Sequence, residues 1–234
     1  CQATLFCLLA RRQPVTLEIP QCDSPIDIMY LIHHALRAEA TVTEQRARHL
    51  GTADALATFA QGLHQWMRAL EEHAIIEDTY MTPLLPARPV VQDNEVEHQQ
   101  LTTLFHEIAS FLQALPPHTP LTPRLQRQVL GQVITLRIAH DDHLESEEDL
   151  VLPLVRQRLS EAQQCAIVRR LLYEARIQEE AGGYAWLTAS LTTPAQQQLA
   201  DLIARWGLVP PHASPSCAAR REEQPPSPAW MPRG

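Results

Sequence analysis

The chain has 234 residues, 45% of them apolar and 20% charged, and a formal net charge of −8. That is enough apolar material for one good-sized core, and the acidic balance, with no basic cluster beyond short arginine pairs, excludes a nucleic-acid-binding or anionic-membrane surface and leaves small molecules or proteins as partners. Five cysteines (Cys1, Cys7, Cys22, Cys165, Cys217), odd in number and with no C-x-x-C pair, exclude a disulfide framework or thiolate metal site and predict a reducing, cytoplasmic compartment.

Only 7 glycines and few β-branched runs, against long stretches of Ala, Leu, Gln, Glu and Arg, predict an all-α chain. Residues 1–22 read as an irregular or truncated N-terminal arm, because the apolar run Ala3 to Ala10 is too short to span a membrane and its arginines follow it. Ser24-Pro25-Ile26-Asp27 is a helix start, with a capping serine, proline in the first turn and an early acid. The first helix is expected from about Pro25 to about His49, with the seam Ile26, Met29, His33, Leu36, Ala40. Gly51 ends it and Thr52 caps the second, whose heptad series is Leu63, Trp66, Leu70, His73, Glu77, Tyr80, Leu84 before Pro83 and Pro86 stop it. Pro86 to Gln92 reads as a connection, and Asp93 as the cap of a third helix with the seam Asn94, His98, Leu101, Phe105, Ile108, Leu112. Thr122-Pro123 opens a fourth helix to about Arg158, and Ser160 to Gln163 is a capping box for a fifth to about Gln178. Gly182-Gly183 interrupts the pattern, and a last helix runs from Thr193-Pro194 to Gly207. The expected division is 1–22 arm, 23–159 metal-binding bundle, 160–208 appended helices and 209–234 disordered tail.

The chemistry lies in His143-Leu-Glu-Ser-Glu147, which stacks an imidazole and a carboxylate on one helix face amid the core positions Leu136, His140, Leu150 and Leu154. An ionised carboxylate in an apolar seam must be paired, protonated or metal-bound. The same device stands 70 residues earlier (143 − 73, 147 − 77) in His73-Ala-Ile-Ile-Glu77, and both copies are followed by Pro-Leu. A single seam histidine such as His33 or His98 is ordinarily a hydrogen-bonded core residue; two matched His–Glu pairs beside it point to metal. Four long helices with short connections predict an antiparallel up-down-up-down four-helix bundle. At about 1.5 Å per residue its four seam histidines fall in one half of the bundle. His33, His73, His98 and His143 with Glu77 and Glu147 then converge, a set that suits iron, manganese or zinc and, with two bridging carboxylates, a dinuclear centre. His34, His49, His64, His106, His118 and His212 read as surface or supporting residues, Glu71, Glu72, Glu145, Glu148 and Asp149 as solvated charges, with Glu148 or Asp78 as partners of the ligands.

These residues resemble the hemerythrin-like (HHE) cation-binding domains. The resemblance covers roughly Ser24 to Leu159 and rests on His33-His-Ala-Leu-Arg37, His73-x-x-x-Glu77-Asp78, Glu97-His98-x-x-Leu101 and His143-Leu-x-x-Glu147-Glu148. It implies a non-haem di-iron centre, oxo- or hydroxo-bridged, in a protein that binds oxygen, nitric oxide or iron for sensing or storage. Alternatives are a di-iron oxidoreductase, an iron–sulfur repair protein, or a metal-free interaction module. Repair members carry an adjacent cysteine pair in an N-terminal extension, whereas Cys7 and Cys22 are separated. Oxygen-carrying members have a second histidine one turn after the one on the third helix, and Thr102 stands there. His140, at the same depth on the antiparallel fourth helix, is expected as a seventh ligand or as a donor to the bound small molecule, the alternative being a core histidine bonded to a backbone carbonyl. Tyr80 is expected to pack, or to donate to that ligand.

Overall fold

A computed structural model describes residues 22–86, 88–115, 120–175 and 183–209. Among these residues the chain is all-helical, with no strand. A 3-10 turn (Pro25–Ile28) leads into α1 (Met29–Arg48), followed by α2 (Ala53–Ile76), α3 (Arg88–Gln113), α4 (Pro123–Ser146), α5 (Leu152–Arg158), α6 (Glu161–Tyr173), α7 (Gly183–Ser190) and α8 (Thr193–Trp206). The starts follow the capping chemistry of the sequence. Thr52 and Thr122 accept from the backbone N–H groups of Ala55 and Leu125, the capping box of Ser160 and Gln163 opens α6, and Gly207 closes α8 at φ 59°, where a side chain would be strained. At the first turn, the Asp27 carboxylate accepts from the N–H groups of Asp23 and Ser24 and from Arg156, which ties the start of α1 to α5.

Three expectations are corrected. Helix α3 begins at Arg88 rather than at Asp93, because a proline in the first turn, here Pro89, gives up only an N–H that has no helical partner. Helix α6 ends at Tyr173 rather than near Gln178, and an unforeseen helix, α7, begins at Gly183. The heptad reading also fails after each glutamate. Both His–Glu pairs run into a π turn, Glu77–Met81 after α2 and Glu147–Val151 after α4, and the wider turn rotates the downstream residues out of phase. Leu84 and Leu150, expected in the core, are 46% and 52% exposed, while Met81, Val151, Leu152 and Val155 are buried.

Helix α1 packs on α2 and α4, and α3 also packs on α2 and α4, so each long helix touches two others. Their shared core, which includes Trp66, Phe59, Phe105 and Met29, continues into Val168, Leu171 and Leu172 of α6, Trp186 and Leu187 of α7, and Leu199 and Leu202 of α8. Helix α6 lies against α2 and the 3-10 turn, and α7 against α1 and α6. No described helix is long and apolar enough to cross a membrane. The expected N-terminal arm up to Gln21 and the expected disordered tail from Pro210 lie outside the described residues.

Candidate metal centre

Four helices each deliver ligand-type side chains to one buried point. His33 comes from α1, His73 and Glu77 from the end of α2 and its π turn, His98 from α3, and His143 and Glu147 from the end of α4 and its π turn; all six are 2% exposed or less. The α-to-π transition falls on each glutamate, so the carboxylate follows its histidine at helical spacing while the next residue swings toward a neighbouring helix.

The inner atoms face one another at short range. His33 Nε2 lies 3.3 Å from Glu147 Oε2, His73 Nε2 3.3 Å from Glu77 Oε1 and 3.7 Å from Glu147 Oε2. His98 Nε2 lies 3.4 Å from Glu77 Oε2 and 3.8 Å from Glu147 Oε1, and His143 Nε2 3.7 Å from Glu147 Oε1. These atoms form two groups, His33, His73, Glu77 and Glu147 in one and His98, His143 and Glu147 in the other. Within each group the imidazoles stand edge to face, with centroids 5.2 Å apart for His33–His73 and 4.7 Å for His98–His143. Metal–ligand bonds of about 2.0–2.2 Å place adjacent donors about 3.0–3.5 Å apart, close to the spacing here.

None of these four Nε2 atoms and none of the four glutamate oxygens has a hydrogen-bond partner, although all are fully buried. Such atoms are costly without a cation, since each forfeits its solvation. Outside the cluster the opposite holds. The Nδ1–H of His33 donates to Glu148 at 2.9 Å, that of His98 to Asp78 at 3.1 Å and that of His143 to Glu97 at 3.0 Å. Arg37 in turn holds Glu148 at 2.7 Å. A carboxylate on Nδ1 fixes the tautomer that leaves the Nε2 lone pair pointing inward, and it makes the imidazole a stronger ligand.

The charges of the metal-free cluster are frustrated. Burial, then the neighbouring Glu147 carboxylate, pushes Glu77 well above the usual carboxylate range. Burial would raise Glu147 too, but His143, His33, His73 and His98 hold it well below that range. Burial opposes protonation of His98, yet Asp78, Glu147 and Glu77 outweigh it and hold that imidazole well above its ordinary value. His33 is likewise raised against the effect of burial, by Glu147 and Glu148, whereas burial takes His73 down to about 4. Two carboxylates this close cannot both ionise without added positive charge, and divalent cations supply it.

Of the residues expected around the site, Asp78 and Glu148 both bond a histidine of the cluster, His98 and His33 respectively. The role of Glu97 went unforeseen, although as the residue before His98 it is turned by about 100° toward the next helix. His140 is completely buried and belongs to neither group of ligand atoms. Both its ring nitrogens lack hydrogen-bond partners; Asp141 is 3.7 Å from Nδ1 and the Trp66 ring stands edge-on at 5.4 Å. Thr102 turns its hydroxyl back to the His98 carbonyl. Tyr80 is half-buried under the Arg170 guanidinium of α6, which sits 3.9 Å from its ring centre.

The fold and the site define a class: a helical protein whose buried histidine and glutamate side chains are arranged to bind metal. The model of the hemerythrin HHE cation-binding domain matches residues 24–155, more than half of the chain, and the protein belongs to that family. No curated protein and no solved structure gives a significant match to the chain.

Proposed function

We propose that this protein is a non-haem di-iron protein that binds oxygen, nitric oxide or iron, for sensing or storage, in the cytoplasm. The observation that carries the reading is that Glu77 and Glu147 each lie between the two histidine groups: Glu77 faces His73 with one oxygen and His98 with the other, and Glu147 faces His33 and His73 with one and His98 and His143 with the other. Two carboxylates with four imidazoles are too many donors for one tetrahedral ion and suit two ions sharing bridges. The bundle reading, with α2 and α4 parallel to each other and antiparallel to α1 and α3, brings the two glutamates in from one end.

When bound, the irons supply the electron-transfer and ligand-coordinating chemistry. The protein's part is to present deprotonated donors, hold three imidazoles by outer carboxylates and keep water away from the cluster. His140 supports the small-ligand reading: a buried ring without a protein hydrogen bond, one turn before His143, is suited to donate to a small molecule held at the cluster. His140→Ala is expected to retain most of the iron while changing azide affinity and oxidation rate. Wild-type values for both would remove His140 from the ligand site, and complete loss of iron would make it a structural ligand. Glu147→Ala and His73→Ala are each expected to lose iron and melting temperature together, because a metal that binds only the folded chain adds its binding energy to stability. Unchanged iron content in both variants would overturn the ligand assignment.

A further inference from the structure

The two halves of the cluster match residue for residue: His33 corresponds to His98, His73 to His143, Glu77 to Glu147 and Asp78 to Glu148. Asp78 and Glu148 each hold the imidazole of a neighbouring helix, and Glu97, the residue before His98, holds His143. The counterpart of Glu97, the residue before His33, is Ile32, which has no acceptor to offer. His73 is accordingly the one imidazole of the four whose Nδ1 has no protein partner, and that atom is fully buried. A cavity of about 10 Å³ is lined by Ile32 and His73 on one side and by Leu171, Ala175, Gly183 and Trp186 of the C-terminal helices and their connection on the other.

We propose that this cavity is a binding site for one ordered water, which takes the hydrogen bond of His73 Nδ1 in place of the carboxylate that Ile32 cannot provide. The inference rests on the metal reading for its consequence but not for the water itself. The volume is that of a single water, and a buried ring N–H is satisfied by ordered water when no protein acceptor is near. On the far side Gly183 approaches the Leu171 carbonyl so closely that a Cβ there would collide with it, and Leu172 O would lie 3.4 Å from that Cβ. Carbonyls of a last helical turn are natural acceptors for the water's own protons. Helices α6 and α7 lie beyond the span matched by the family model. They thus complete the surroundings of a histidine in the metal cluster, and His73, with a neutral partner, becomes a weaker ligand than the three imidazoles held by carboxylates.

The test uses the full chain. Crystals of the metal-free and the ferrous-loaded protein should both show one density peak about 2.7–3.2 Å from His73 Nδ1. Ile32→Glu should displace that peak with its own carboxylate and slow iron release to a chelator by about tenfold. Ala175→Leu, which fills the cavity, should expel the water and speed release by a similar factor; Ile32→Gln, which supplies a neutral acceptor, keeps the comparison available if Ala175→Leu does not fold, and should release iron at close to the wild-type rate. A protein atom or no density at His73 Nδ1 overturns the proposal, as does iron release from Ile32→Glu at the wild-type rate. A wild-type chain that takes up no iron yet shows the water would instead overturn the metal reading alone.

Discussion

Each inner imidazole of the cluster is asked to do two incompatible things before metal arrives: stay neutral to act as a ligand, and offset buried carboxylates. His98 and His33 are raised above the ordinary imidazole value of 6.5, and Glu77 above 4.5. A group raised in the folded state binds protons more tightly there than in the unfolded chain, so its stabilisation is full below the unfolded pKa and is lost as pH rises through the folded one. From pH 6.5 upward the metal-free protein is therefore expected to melt at progressively lower temperature. The loaded protein is expected to do the reverse, because metal competes with protons for the same atoms and binds better as pH rises. Melting curves of both forms across this window check the reversal; parallel slopes would contradict it. For the same reason iron uptake at neutral pH should release protons, which titration calorimetry in two buffers of different ionisation enthalpy measures directly.

At the scale of the helix, the π turns decide which leucines are core. Leu152→Ala, at a fully buried position, is expected to cost about 2–5 kcal/mol, whereas Leu150→Ala, at one that is 52% exposed, should stay within about 0.5 kcal/mol. Denaturant unfolding of the two variants reads this phase; similar losses would mean that α4 runs through Glu147 without widening. This is also where the sequence was least legible. Capping residues such as Thr52, Thr122, Ser160 and Gly207 announce helix ends because their chemistry is local. A π turn has no residue signature of its own, so a heptad count carried past Glu77 or Glu147 arrives at Leu84 and Leu150 on the wrong face. The cluster was legible because two His-x-x-x-Glu pairs 70 residues apart place polar groups where only core residues belong. Glu97 was not, since a carboxylate beside a ligand looks like any surface charge until the neighbouring helix is in place.

Across the whole molecule the metal reading requires that four separate helices meet, so the site and the core stand or fall together. Trp66 packs edge-on against Phe105 at 5.0 Å and against His140, one layer away from the cluster. Trp66→Ala is expected to destabilise the chain by about 3–5 kcal/mol and to loosen metal with it, whereas Leu150→Ala should leave metal untouched. The most direct measurement is iron per chain after anaerobic reconstitution, with the protein quantified independently and the metals counted by elemental analysis. The account predicts about two irons per chain, falling in Glu147→Ala. A single iron, stoichiometric zinc in its place, or no metal at all from an iron-replete preparation would contradict it.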